Sequence, residues 1–257
     1  MEQVKRRGRM FFIYAPPVKG VRPSRRKPPK PAFRGAKAWQ NSVYYFWWEF
    51  LRRHEGYRAT CRAGGKGRYG DLYRDFGDVT QPDFWGWWTT HANLFAEPPP
   101  PHVQIVVLND AYESKPDSVI VEIPLNQRLS LSVRQLKRMI GDQIQAPARS
   151  RSVSRAPYPV HTKPVLSNLY LTLRVWDLKQ SHPKWPNYLI KDVADGHLSE
   201  AEAERLTDEK DRRKRLLMAG SSDERIQKTL AVSRLLRIAQ QYIDNVALGE
   251  FPKRNTR

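Results

Sequence analysis

The sequence contains a single cysteine, Cys61. One cysteine excludes a disulfide bond within the chain, and it excludes a zinc site built from several thiolates. This usage is typical of proteins from a reducing compartment, so we expect a cytoplasmic protein. We expect Cys61 itself to be a small apolar residue of the core and not a reactive thiol.

Long hydrophobic runs are also missing. The run nearest the N-terminus, residues 10–15, is six residues long and is followed by two prolines. A secretory signal needs an apolar core of roughly 7–15 residues, and a membrane-spanning helix needs about 20. We therefore expect no signal peptide and no membrane partner.

Acidic residues are few relative to basic ones. The chain has 45 lysines and arginines against 26 aspartates and glutamates, which gives a formal net charge of +19. A surplus of this size favours polyanionic partners, with nucleic acid first and an anionic membrane surface second. It bears on partners and carries no information about the fold.

Catalytic and metal-binding motifs are absent once their context is checked. The DFG triplet at residues 75–77 lacks the upstream glycine-rich and catalytic loops of a kinase. The stretch GGKGRYG at residues 64–70 has the composition of a phosphate-binding loop without its spacing. The six histidines are never three or four residues apart. We therefore expect a protein that is not an enzyme, with no catalytic residue, no metal ligand and no cofactor.

Composition divides the chain into four segments. Residues 1–37 hold twelve basic side chains and one acid, and their proline-rich sequence offers too little apolar surface to offset the entropy cost of folding. We expect them to form a disordered basic arm. Residues 38–145 are predicted to form a first domain, 146–164 a basic linker, and 165–257 an all-helical second domain that is a candidate for DNA binding.

Aromatic residues dominate the start of the first domain. Ser42 is suited to cap a helix, and the apolar residues after it recur at the spacing of one helical face. A second aromatic helix is predicted to begin at Thr80, and the two helices are expected to bury Trp47 and Trp87 between them. Three aromatic residues lie off these faces and are candidates for an exposed base-stacking surface: Tyr44, Trp48 and Trp85.

The rest of the first domain favours a β-hairpin followed by a helix. Residues 103–108 and 118–125 are rich in β-branched side chains, and the segment between them has turn-forming ends. Ser132 and Gln135 then match a capping box at the start of an amphipathic helix. The predicted fold class is therefore α+β: an aromatic helical domain with a β-hairpin-helix unit, followed by a mainly α-helical C-terminal domain.

The last periodic segment allows two interpretations. LAVSR at residues 230–234 is similar to the turn of a helix-turn-helix motif, with Ala231 where glycine is usual. The apolar stripe nevertheless continues from Ile226 to Val246, as expected for one long helix. A three-helix DNA-binding unit assembled more loosely from residues 165–249 is compatible with the second interpretation.

Basic residues of the arm, the linker and the C-terminal domain are the candidate nucleic-acid contacts. Those of the last helix are expected to reach base edges, because a helix fits the major groove, and the others to bind phosphates. The full set is Arg6, Arg7, Arg25, Arg26, Lys27, Arg149, Arg151, Arg155, Arg212, Arg213, Lys214, Arg215, Arg225, Lys228, Arg234 and Arg237. Three arginines of the aromatic domain are left out, because their helix is expected to be occupied by packing: Arg52, Arg53 and Arg58.

Distinctive stretches are spread over most of residues 39–252: YYFWWEFLRRHEGYRATC, YGDLYRDFGDV, FWGWW followed by LFAEP, VEIPL and YIDNVALGEFP. Together they resemble an uncharacterised protein family of proteobacterial plasmids, prophages and integrative elements. The WEFLRRHEGYR stretch is also similar to a short transcriptional-regulator-like domain of such elements. The resemblance implies a DNA-binding protein of a mobile element and transfers no catalytic residues.

The favoured function is that of a non-enzymatic protein that binds duplex DNA, as a transcriptional regulator or accessory factor of a mobile genetic element. Two alternatives stay open. One is a protein–protein interaction or structural module of a mobile-element complex, which binds a protein partner or a second copy of the chain. The other is a module that binds RNA or single-stranded DNA on its exposed aromatic residues.

Overall fold

The structure is a computed structural model that describes residues 10–20, 30–98, 119–140, 154–207, 213, 217 and 220–254. Helix accounts for 57% of the described residues and strand for 2%. These residues contain nine α-helices: α1 (Val43–Leu51), α2 (Glu55–Arg62), α3 (Gly70–Phe76), α4 (Phe84–His91), α5 (Leu129–Ile140), α6 (Leu166–Ser181), α7 (Asn187–Ala194), α8 (Glu200–Thr207) and α9 (Ser222–Val246). Short 3₁₀ helices span Ala38–Gln40 and Ala92–Phe95.

The predicted α+β fold class is wrong, because the described residues contain no β-sheet. Residues 119–125, the described part of the second predicted strand, have irregular backbone; residues 103–108 lie outside the described part. β-Branched residues stabilise a strand through neighbours in a sheet, and Pro124 removes one backbone donor from this segment. Extended pairing within the described part is limited to two isolated bridges, Phe11 with Glu97 and Val160 with Phe251.

Helix α1 is buried on every side. Ser42 caps it as predicted, and all nine of its residues are buried. Trp47 is 0% exposed and Trp87 of α4 is 7% exposed, which confirms the predicted aromatic core. Tyr44 and Trp48 are each 2% exposed, so their assignment to an exposed stacking surface is wrong.

The C-terminal part of the chain also packs against α1. Phe50 packs edge-on against Tyr242 of α9, with 5.4 Å between ring centroids, and Trp47 packs against Phe251 at 5.6 Å. Helices α6 and α9 both contact α1. The described residues up to 98 and from 155 onward therefore form one compact unit with a shared core, although the sequence assigns them to two domains. Helix α5 belongs to a separate unit.

Two helix starts differ from the sequence-based expectation. Asp83, and not Thr80, caps α4, because its carboxylate accepts a hydrogen bond from the backbone N–H of Gly86 at 2.9 Å. Helix α5 begins at Leu129, so Ser132 lies inside it and does not cap it. The sequence offers more than one residue at which each helix could begin, and pattern alone does not choose among them.

Helix α9 is continuous from Ser222 to Val246, so the helix-turn-helix interpretation of residues 230–234 is wrong. Val232 and Ala239, both 0% exposed, fasten one side of it to the body. On that side α9 contacts helices α6 and α7. The opposite side of α9 faces solvent along most of its length.

Candidate nucleic-acid interface

The predicted contacts divide between described and undescribed parts of the chain. Ten lie outside the described residues: Arg6, Arg7, Arg25, Arg26, Lys27, Arg149, Arg151, Arg212, Lys214 and Arg215. Six lie within them: Arg155, Arg213, Arg225, Lys228, Arg234 and Arg237. Arg213 is exposed, and the other five differ in what their side chains and backbones contact.

Arg155 is exposed at a place where the predicted linker meets the body. Its backbone N–H donates to the carboxylate of Glu97 at 2.8 Å. Three residues later, the backbone N–H of Tyr158 donates to the carbonyl of Leu94 at 3.1 Å, and its hydroxyl donates to Asp75 at 2.5 Å. The described end of the linker is therefore fastened to the aromatic helices, and the position of Arg155 is set by them.

Arg225 and Lys228 have partners within the protein. The guanidinium of Arg225 donates to the carbonyl of Gly220 at 2.7 Å, just before α9 begins. The ammonium of Lys228 lies 2.7 Å from a carboxylate oxygen of Asp192 in α7, a residue that is only 5% exposed. A buried carboxylate needs such a cation, so Lys228 has a structural role in the α7–α9 contact.

Arg234 and Arg237 point away from the body. Both are exposed, they are three residues apart on the solvent side of α9, and no ion pair with either is found among the described residues. Two exposed glutamines give the same side further hydrogen-bonding groups, although the Gln240 side chain also donates to Asp244 at 2.7 Å. With the two arginines they form what we name the α9 donor face: Gln227, Arg234, Arg237 and Gln240. Arginine pairs well with guanine and glutamine with adenine in the major groove.

Sequence reasoning set aside a second group of basic residues that the fold brings together. Arg52, Arg53 and Arg58 line one pocket with Thr80 and Asp177. The Arg53–Asp177 contact joins residues 124 positions apart, and no periodic pattern signals such a pairing. The one available signal was local: the three arginines lie within the seven residues 52–58, at the end of a predicted core helix.

Two ionisable groups of the aromatic core, Cys61 and His54, are shifted toward their neutral forms. Burial raises the pKa of the Cys61 thiol, which is opposite to what a nucleophilic cysteine requires. Burial also lowers the pKa of His54, whose ring accepts the backbone N–H of Tyr57 at 2.9 Å and thereby caps α2. In the part of the chain that the structure describes, no three metal-ligating side chains come together.

Replacing Lys228 with alanine should lower the free energy of unfolding by about 1–3 kcal/mol, because the buried carboxylate of Asp192 loses its cation. Replacing the exposed Arg237 with alanine should change it by less than about 0.5 kcal/mol. Urea denaturation of the two full-length variants measures both effects. Equal stability of the two variants would return Lys228 to the set of surface residues that are free to contact DNA.

Comparison with known proteins adds no identity. No family model, no curated protein and no solved structure matches this chain. Within the described ranges, none of the helices combines the length and the apolar composition needed to cross a lipid bilayer. The exposed basic side chains, and the geometry that holds them, are therefore the features of the described structure that bear on function.

Proposed function

We propose that this protein binds duplex DNA without catalysing a reaction, and that the α9 donor face reads the base sequence. The observation that carries the proposal is the exposure of Arg234 and Arg237, three residues apart and without an acidic partner in the described structure, on a helix whose other side is fixed to the core. A rigid helix that presents donors in this way fits the major groove.

The charge of the whole chain supports the same partner. Its net charge is +19, and residues 1–37 alone carry twelve basic side chains against one acid. Basic segments of this kind neutralise phosphates and release counterions, which strengthens binding to DNA of any sequence. The proposal therefore assigns general affinity to the basic segments and sequence discrimination to α9.

The biological setting is part of this proposal. The resemblance of the aromatic and C-terminal stretches to a mobile-element family supports a role as a transcriptional regulator or accessory factor of such an element. The single cysteine supports a cytoplasmic location. Both statements depend on the DNA-binding proposal, and both would fail if that proposal failed.

The double variant Arg234→Ala with Arg237→Ala should lose discrimination between a cognate site and random DNA. Each lost base contact should cost about 1–3 kcal/mol, or about 5- to 150-fold in relative affinity. Fluorescence anisotropy, at several salt concentrations, measures this on the full chain with a site selected from a random duplex library. Single-stranded DNA and RNA of the same sequence complete the comparison.

The matched control removes the same charge elsewhere. Lys184 and Arg205 are exposed and lie outside the α9 donor face, so their double alanine variant should weaken all duplexes slightly and alike. If the α9 variant discriminates as well as wild type, α9 does not read bases. If RNA or a single strand binds more tightly than the duplex, the partner class is wrong.

A specific feature of α9 favours a second candidate function, self-assembly. Ile226 and Leu230 are 53% and 58% exposed on the solvent side of the helix. Two copies of α9 packed antiparallel about Leu230 would place Asp223 of one copy against Arg237 of the other, which is a complementary charge pair. In such a dimer the α9 donor face would be buried against the second copy and could not enter a DNA groove.

Sedimentation equilibrium separates the two functions. A monomer that binds DNA supports the reading role of α9. A dimer that the Asp223→Arg change disrupts, and that adding Arg237→Asp restores, supports assembly instead. The charge-swap design is useful because each single change is at an exposed position and should leave the monomer folded.

A further inference from the structure

A small pocket concentrates guanidinium groups at the junction of α1, α2 and α6. Arg52, Arg53 and Arg58 line it together with Thr80 and Asp177, around a cavity of about 310 Å³. Three like charges at one pocket repel each other unless acids or a bound anion compensate them. The contacts of each arginine show how much compensation the protein itself provides.

Arg53 is fully engaged by carboxylates. Its Nε and Nη2 atoms donate to the two carboxylate oxygens of Asp177, both at 2.7 Å. Its Nη1 atom donates to the carboxylate of Glu49 at 2.6 Å. This bidentate geometry is strong and directional, so Arg53 forms a fixed wall of the pocket and leaves little of its charge for a ligand.

Arg52 is held in place with donors to spare. Its guanidinium lies 4.3 Å from the centre of the Trp48 ring, and Nη2 donates to the carbonyl of Thr80 at 3.3 Å. The Nη1 atom is 3.6 Å from Glu49, longer than the 2.6 Å contact that Arg53 makes with the same carboxylate. Stacking and one carbonyl contact thus orient Arg52 without satisfying all five of its N–H groups.

Arg58 completes the pocket from the exposed side of α2. Its side chain is exposed, and no acid pairs with it among the residues the structure describes. Asp177 in the pocket lining and Glu49 beside it pair with Arg53, whereas Glu55 and Asp244 line the neighbouring cavity and not this pocket. Within this pocket the guanidinium of Arg58 is therefore left without an acidic partner. An anion that enters the pocket would pair with this guanidinium.

We infer that this pocket binds one phosphate group, with Arg52 and Arg58 donating to its oxygens. Arginine forks match phosphate oxygens in geometry and charge. A phosphodiester carries one negative charge, equal to the charge left over in the pocket. The phosphate group is either part of a DNA backbone or a small free phosphate, and both present the same oxygen acceptors to the two arginines.

The DNA source also rests on the proposed function, and the surroundings of the pocket favour it. The same arginines line a neighbouring, larger cavity, whose wall includes Gln240 of α9 and the carboxylates of Glu55 and Asp244. Gln240 belongs to the α9 donor face, about one helical turn beyond Arg237. A strand whose phosphate sits on Arg52 and Arg58 would therefore run beside the face proposed to read bases, and would fix its register.

Arg58→Gln tests the pocket with little risk to the fold, because Arg58 is exposed and unpaired in the described structure. Arg62→Gln, four residues later on the same helix, is exposed and outside the pocket, so it is the matched control. Anisotropy with a random-sequence duplex is the first measurement. We expect Arg58→Gln to weaken binding about tenfold and to reduce the salt slope by about 0.9, and Arg62→Gln to do neither.

Thermal unfolding in sodium phosphate and in sodium chloride of equal ionic strength is the second measurement. Phosphate should raise the melting temperature of wild type and of Arg62→Gln, and should not raise that of Arg58→Gln. If Arg58→Gln both weakens duplex binding and abolishes the rise in melting temperature in phosphate, the occupant is a backbone phosphate. Loss of the phosphate response with unchanged DNA affinity supports a free phosphate as the occupant.

Identical behaviour of Arg58→Gln and Arg62→Gln in both measurements would overturn the inference. The two proposals remain separable, because the phosphate measurement does not use DNA. If wild type bound no duplex at all, the proposed function would fail, and the thermal comparison would still decide whether the pocket is a phosphate site.

Discussion

Replacing Trp47 with alanine should lower the free energy of unfolding by about 3–5 kcal/mol, the range for truncating a fully buried large aromatic side chain. Trp47 is 0% exposed. Its ring contacts Phe95 at 5.1 Å from the aromatic segment and Phe251 at 5.6 Å from the C-terminal segment. The substitution therefore opens a cavity where the two parts of the chain meet, and both parts should lose support together.

Urea denaturation of the full chain, followed by tryptophan fluorescence and by circular dichroism, measures this loss. A single coincident transition at lower urea is expected, because the aromatic and C-terminal helices share one core. Separate transitions for the two signals would contradict a shared core. Such a result would instead favour the two independent domains that the sequence suggests.

Trp85 is the matched control for this substitution. It is only partly buried, and Lys19 lies over its ring at 6.0 Å, so Trp85→Ala should cost less than about 1 kcal/mol. Trp48→Ala should resemble Trp47→Ala, because Trp48 is 2% exposed and packs on Phe84. If Trp48→Ala resembled Trp85→Ala, an exposed position for Trp48 would be restored.

The sequence predicted α1 well on one side and poorly on the other. The cap at Ser42 and the apolar spacing through Trp47 depend on neighbours a few residues away, and both are correct. Tyr44 and Trp48 were misplaced because a helical pattern shows one apolar face and assumes water on the other. Here the second face is covered as well: Tyr44 packs against Phe12, Trp88 and Phe95, and Trp48 packs against Phe84.

The candidate site shows the same division between local and long-range information. Periodicity predicted the helix that carries Arg234 and Arg237, and their exposure follows from their place opposite its apolar stripe. The same pattern gave no sign that Lys228 pairs with Asp192 of α7. Ion pairs between distant segments leave no periodic trace, so the periodicity of the sequence did not indicate the arginine pocket either.

Replacing Arg53 with methionine should be the second most disruptive change, with a loss of about 3 kcal/mol. Arg53 donates to Glu49 in α1 and to Asp177 in α6, and Glu49 is only 9% exposed. Without the guanidinium, a buried carboxylate keeps its charge and loses its strongest partner. The cost comes mainly from this uncompensated charge and less from the lost packing.

A triple variant isolates that cause. Glu49→Gln, Arg53→Met and Asp177→Asn together remove the cation and both carboxylates while roughly keeping the side-chain volumes, so most of the stability lost in Arg53→Met should return. Urea denaturation of the single and triple variants gives the coupling free energy directly. If the triple variant is as unstable as Arg53→Met, packing of the arginine stem, and not charge compensation between α1 and α6, is what Arg53 contributes to the fold.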